Sequence, residues 1–152
     1  MNIYIGADHG GFNLKSQLET ELKNDGYTVI DVGDAKLVAE DDYTDFARAV
    51  ATQVAQDSAG RRGIVICRSG FGVDIAANKV NGIRAALAMS PDHIYQGRHD
   101  DDVNVLALAA DFITPEDASR MMKVFLTTPF AKEERYTRRI KKIAEIEEAQ
   151  AA

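Results

Sequence analysis

The chain has 152 residues, 45% of them hydrophobic, the size and composition of one compact domain with its own core. A formal charge of −6 argues against nucleic acid as a general partner, because phosphate backbones demand concentrated positive charge. No apolar run long enough to span a bilayer, no charged leader before the first strand and a lone cysteine, Cys67, set the expectation of a cytoplasmic protein without membrane span, secretion signal or disulfide framework.

In chain order, "MNIYIGAD" reads as a short buried strand ending in the polar pair Asp8-His9. Leu14, Leu18 and Leu22 then mark one face of an amphipathic helix that Gly26 stops. "YTVIDVG" is a second strand. Phe46, Val50 and Val54 mark a second helix, with Thr44 as its expected N-cap. "GIVIC" is a third strand, apolar throughout, as when both faces of a parallel sheet are covered. "GVDIAANK" makes a third helix and "GIRAALAM" a fourth strand. A helix from Pro91 to about Asp101 leads into a fifth strand, "NVLALAA". "TPEDASRMMKVFL" opens with Thr at the N-cap and Pro at the first helical position, and a last helix is expected to start near Pro129. Five alternations of strand and helix predict a single doubly wound, Rossmann-like α/β domain over 1–152. It would have a five-stranded parallel sheet, helices on both faces and a C-terminal helix.

In such sheets ligands bind beyond the carboxyl ends of the strands. Asp8-His9, the Cys67-Arg68-Ser69-Gly70 turn and Asp111 all fall on that rim. The turn matches neither the dinucleotide fingerprint nor the phosphate loop. Feeding a helix N-terminus, it would nonetheless point free N–H groups at a phosphate or at a developing enediolate oxygen. Cys67 is then either a reactive thiol beside that turn or an inert buried residue of the third strand. Six basic residues between Lys132 and Lys142 leave a local anion site open.

Five stretches decide between these readings: "GADHGGFNLK", "DDYTDFA", the "GIVIC" to "GIRAAL" segment with its Ser-Gly-x-Gly and Ile-Ala-Ala-Asn-Lys, "NVLAL" and "ERYTRRIKKI". In this order, from Met1 to about Glu147, the chain resembles the ribose-5-phosphate isomerase B and galactose-6-phosphate isomerase family. The resemblance implies interconversion of aldose and ketose sugar phosphates without metal or other cofactor, at an active site on a homodimer interface; a homotetramer is equally open. A pentose such as ribose 5-phosphate is the expected substrate. The same chemistry on a tetrose, hexose or unphosphorylated sugar, and a non-catalytic sugar-phosphate binder, stand as alternatives.

Carried over by the resemblance, Cys67 is the base, and one base serves both carbons of a cis-enediolate. Ser69, Gly70, Phe71 and Gly72 surround the oxyanion. Asp8 and His9 contact substrate hydroxyls and phosphate, and Tyr43 borders them; the plainer alternatives are a turn residue, a solvated ring and a packed ring. Arg135 and Arg139, four apart on one helix face, form a phosphate clamp; the plainer alternative is a solvated face balanced by Glu133 and Glu134.

Several positions depart from the family pattern. Its ring-opening histidine falls on Asp100 and the neighbouring asparagine on Asp101. His99 lies one residue earlier, about 100° away around a helix. An arginine after the fifth strand becomes Asp111, the clamp's histidine becomes Tyr136, and a glycine after the cysteine becomes Arg68. Either Arg68 compensates for Asp111 while Asp100 or His99 handles the ring proton, or the acids adapt the pocket to hydroxyls of another sugar. A third reading makes the Asp100-Asp101-Asp102 run only a charged helix end.

Overall fold

The computed structural model describes residues 1–151. Its strands are β1 (Asn2–Ala7), β2 (Thr28–Asp31), β3 (Arg61–Cys67), β4 (Ala85–Leu87) and β5 (Val105–Ala109). Its helices are α1 (Phe12–Asn24), α2 (Tyr43–Ala55), α3 (Phe71–Ala77), α4 (Pro91–Asp101), α5 (Pro115–Thr127) and α6 (Glu134–Ala151). All strand pairs are parallel, in the order β2-β1-β3-β5-β4. The expected doubly wound α/β sheet is therefore what the chain forms.

Strand side chains alternate between two apolar layers. Ile3, Ile5, Ile64, Ile66, Leu106 and Leu108 join Leu14, Leu18 and Leu22 of α1 and Met121 and Phe125 of α5. Tyr4, Val65, Cys67, Val105 and Ala107 instead join Ala47, Val50 and Val54 of α2 and Val73 and Ala77 of α3. This period of two explains why Ile64–Cys67 and Val105–Ala109 are apolar at every position: both faces are covered. Leu18 and Leu22 have no exposure, and each such leucine contributes about 1.5–3 kcal/mol over an exposed one.

Three boundary differences bear on the fold. Thr44 does not cap α2; the helix begins two residues earlier, at Tyr43, with Asp42 at the N-cap position and no side-chain cap bond. β4 is only three residues long, since the backbone before it bonds a side chain instead of a strand: the Asn104 side chain accepts the Arg84 N–H and donates to the Gly82 carbonyl. α6 starts at Glu134 instead of near Pro129, after an irregular stretch in which Lys132 has φ 56°. At α5 the expectation holds: the Thr114 hydroxyl accepts the Asp117 N–H, with Pro115 at the first position. No helix among the described residues is long and apolar enough to cross a membrane.

From β1 the chain moves outward to β2, then returns to place β3 on the other side of β1. The order therefore reverses between β1 and β3, and the carboxyl ends of those two strands form the crevice where such folds bind ligands. Their register pairs Ala7 with Ile66, so Asp8-His9 and Cys67-Arg68 leave the sheet side by side.

Candidate active site

Cys67 ends β3, pairs with Ala109 of β5, and is 4% exposed within the α2–α3 apolar layer. The chain turns directly above it. Gly70 takes φ 74°, and a Cβ there would stand 2.4 Å from Leu87 Cδ1 and 3.2 Å from the Ala109 nitrogen, so the turn needs glycine. α3 begins at Phe71, and its first N–H groups have no acceptor inside the helix. Ser69 and Phe71 line an apolar cavity of about 400 Å³ with Leu87, Met89, Phe112 and Ile113. On the other side, the Tyr43 ring lies so close to Gly72 that a Cβ would come within 2.6 Å of it.

Asp8, 6% exposed, accepts the Gly11 N–H at 3.1 Å, so one carboxylate oxygen serves the turn into α1. His9 is held by Asp41, which accepts both the His9 backbone N–H and its Nδ1–H, each at 2.8 Å. One side-chain ligand atom from each of Asp8, His9 and Asp41 lies within 4.8 Å of the others, the grouping among the described residues that could hold a metal ion. The His9–Asp41 hydrogen bond accounts for that closeness. Arg68 reaches across Gly10 and meets Asp111 at 3.5 Å, both side chains being well exposed.

Half-buried Asp74, in the first turn of α3, has its carboxyl pushed up to about 6 by burial. It was not among the residues expected to matter.

The remaining expected residues gather elsewhere. The His99 ring stacks on Tyr95, with centroids 5.4 Å apart, meets Tyr136 edge-on at 6.0 Å, and hydrogen-bonds Asp100 at 2.6 Å. That bond, with a further one from Tyr136, holds the Asp100 carboxyl below the usual carboxylate range. Burial, then the Asp100 bond, pushes the Tyr136 phenol up. Arg135 donates to Tyr136 at 2.7 Å and pairs with Glu133 at 2.9 Å, which raises its own pKa. Arg139 is exposed and takes part in no ion pair among the described residues. The aspartate run divides into three roles: Asp100 on His99, Asp101 exposed, and Asp102 closing α4 in ion pairs at 2.8 Å with Arg84 and Arg98. The charged-helix-end reading therefore suits Asp102, which closes the helix in ion pairs.

This second group lies at the opposite end of the sheet. α4 leaves the rim at Ser90 and runs back, so His99 sits about 12 Å further along it. α6 is tied to that same amino end, by the His99–Tyr136 contact and by Glu147, which accepts the Gly82 N–H just before β4. Within one chain, Arg135, Arg139, His99 and Asp100 do not meet Cys67. Local sequence places each residue on its element, but only the direction of α4 and the path of α6 show this division.

The pattern of the Ribose/Galactose Isomerase family matches residues 3–143. The ribose-5-phosphate isomerase B of Mycobacterium tuberculosis is 39% identical over 152 residues, 100% of this chain and 93% of that protein. Among solved structures, ribose-5-phosphate isomerase B of Mycoplasma genitalium with bound ribulose-5-phosphate superposes with a TM-score of 0.93 at 40% identity, covering 97% of this chain and 96% of that one. The Clostridium thermocellum enzyme gives 0.93 at 41% identity, covering 99% of each. The chain belongs to the ribose/galactose isomerase family, whose members here are aldose–ketose isomerases of sugar phosphates.

Proposed function

We propose that the chain, acting as one isomerase domain over its whole length, interconverts ribose 5-phosphate and ribulose 5-phosphate. The observation that carries this is the juxtaposition of Asp8-His9, Cys67 and the Ser69–Gly72 turn at the sheet's switch point, in a chain 40% identical to a relative whose structure holds ribulose-5-phosphate.

In the open-chain aldose, Cys67 as thiolate takes the proton from C2, and the electron pair moves through C1 to O1. The N–H groups of Ser69 to Gly72 and the Ser69 hydroxyl stabilise the resulting oxyanion. The hydroxyl proton on O2 passes to O1, and the thiol returns its proton to C1, leaving the ketone at C2. The near-complete burial of the sulfur keeps bulk water from the base. Asp8 binds sugar hydroxyls, and Tyr43 walls the pocket beside Gly72.

His99 is assigned the ring-opening proton transfer, with Asp100 orienting it; the 2.6 Å bond between them supports this over Asp100 acting alone. Since His99, Arg135 and Arg139 lie at the far end of their own sheet, the complete site is proposed to form between two copies. Each rim would receive the α4–α6 cluster of its partner, with Arg135 and Arg139 on the phosphate.

The test is solvent deuterium exchange into ribulose 5-phosphate, together with turnover of a sugar panel. Cys67→Ala is expected to lower both by about 10²–10⁴-fold while the circular dichroism spectrum is unchanged. Retention of most activity by that variant excludes the cysteine as base. Equal rates on phosphorylated and free sugars exclude the arginine clamp.

A further inference from the structure

Eleven residues, 32–42, connect β2 to α2 without regular structure, longer than the roughly 2–6 residues usual for such a connection. This loop is fastened at two points. At its base the buried Lys15 Nζ donates to Asp31 at 2.6 Å and to the Asp34 carbonyl at 2.9 Å. Near its end Asp41 reaches across to His9. Glu40, immediately before, sits at φ 61°, a left-handed backbone that costs a non-glycine residue about 1 kcal/mol. Immediately after it, Asp41 meets His9, two residues beyond the end of β1.

The chemistry of the contact fixes the ring. An ionised carboxylate can only accept, so the 2.8 Å contact places a proton on His9 Nδ1. The same Oδ1 accepts the His9 backbone N–H, so side chain and main chain are held together. The Asp41 side chain is 10% exposed and the His9 side chain 30%, so the carboxylate lies beneath the ring and the ring keeps an open edge.

We propose that Asp41 is a positioning residue for isomerisation: it locks His9 in the Nδ1–H form and leaves Nε2 as the nitrogen that meets the sugar phosphate. This rests on the reading of His9 as a substrate contact. Asp41 itself touches no substrate.

Nitrogen-15 spectra of histidine-labelled protein, at a pH where the ring is neutral, test the lock without any substrate. The unmodified chain and Asp41→Asn, whose amide oxygen can still accept, are expected to show His9 with its proton on Nδ1. Asp41→Leu is expected to shift the proton to Nε2, while the His93 and His99 signals stay in place. In parallel, Asp41→Leu is expected to lower kcat/KM by about tenfold, the equivalent of one charge-assisted hydrogen bond, and Asp41→Asn to recover most of it. An unchanged tautomer in the leucine variant overturns the proposal, as does a changed tautomer with undiminished kcat/KM. If the unmodified chain turns over no sugar phosphate, the isomerase reading fails instead, and the tautomer shift alone still supports the grip of Asp41 on the ring.

Discussion

Arg68 and Asp111 meet across the ends of β3 and β5, with Nη1 of one 3.5 Å from Oδ2 of the other and both side chains open to solvent, 62% and 47% exposed. Such an exposed pair contributes well under 1 kcal/mol. The guanidinium can therefore leave Asp111 for a phosphate at little cost, and a fork of N–H donors suits that anion. Arg68→Met is expected to raise KM for a phosphorylated sugar by about tenfold with a much smaller change in kcat, an effect that weakens as salt rises. Asp111→Asn should leave KM unchanged or lower it. A higher KM in Asp111→Asn would instead mean that the acid binds sugar hydroxyls, and the substrate panel should then favour another sugar.

The proposed sharing of the site between two copies has a direct consequence for mixed variants. Cys67→Ala damages the rim and His99→Gln the α4–α6 cluster. Each is expected to convert ribose 5-phosphate poorly alone. Unfolded together and refolded in equal amounts, they should regain about a quarter of the unmodified activity, since half the dimers are hybrids and each hybrid holds one intact site. No recovery would exclude a site shared between copies. His99→Gln alone should still exchange deuterium into ribulose 5-phosphate, because that open-chain ketose needs no ring opening.

Lys15 is 1% exposed, yet it lies inside the motif "GADHGGFNLK", where only the histidine and aspartate looked functional. Its ammonium bonds Asp31 and the Asp34 carbonyl and stands 5.1 Å from the Phe12 ring centroid. Lys15→Met strands the Asp31 carboxylate and is expected to cost about 3 kcal/mol, or roughly 6–12 °C in Tm. Asp31→Asn in the same chain should restore part of that loss, because the uncompensated charge is then gone. An unchanged melting temperature for Lys15→Met would show that the pair adds nothing to stability.

The alternation of elements was legible because the central strands are apolar over most of their length and α1 and α2 carry leucines or valines at a spacing of four. Leu14, Leu18 and Leu22 lie in the core as their spacing requires. Asp8-His9, Cys67 and the glycine turn were legible as rim residues because topology alone puts strand ends there. Asp41 was not: it opens the "DDYTDFA" stretch, but its partner His9 lies 32 positions back along the chain, a distance no local pattern encodes. Nor was the separation of Arg135 from Cys67, which depends on α6 crossing the amino end of the sheet. Lys15 was unreadable for a third reason: a lysine at a helical position predicts a solvated tip, and only the Asp31 and Asp34 contacts overturn that.

Asp74 gives the clearest pH signature. Burial raises its carboxyl from 3.8 to about 6, so in the folded chain it holds its proton over a range where the unfolded chain has lost it. The folded state therefore binds more protons between those values, and stability on this account falls as pH rises through that window. Below it the group is neutral in both states and costs nothing; above it the charged form is a standing penalty. Because the side chain is only half-buried, solvent screens most of the cost, leaving on the order of 1 kcal/mol. Asp74→Asn is expected to raise Tm by about 2–4 °C at neutral pH, and the difference should close towards pH 4. A gain that persists undiminished in acid would mean that the amide stabilises α3 by a new bond rather than by relieving a buried charge.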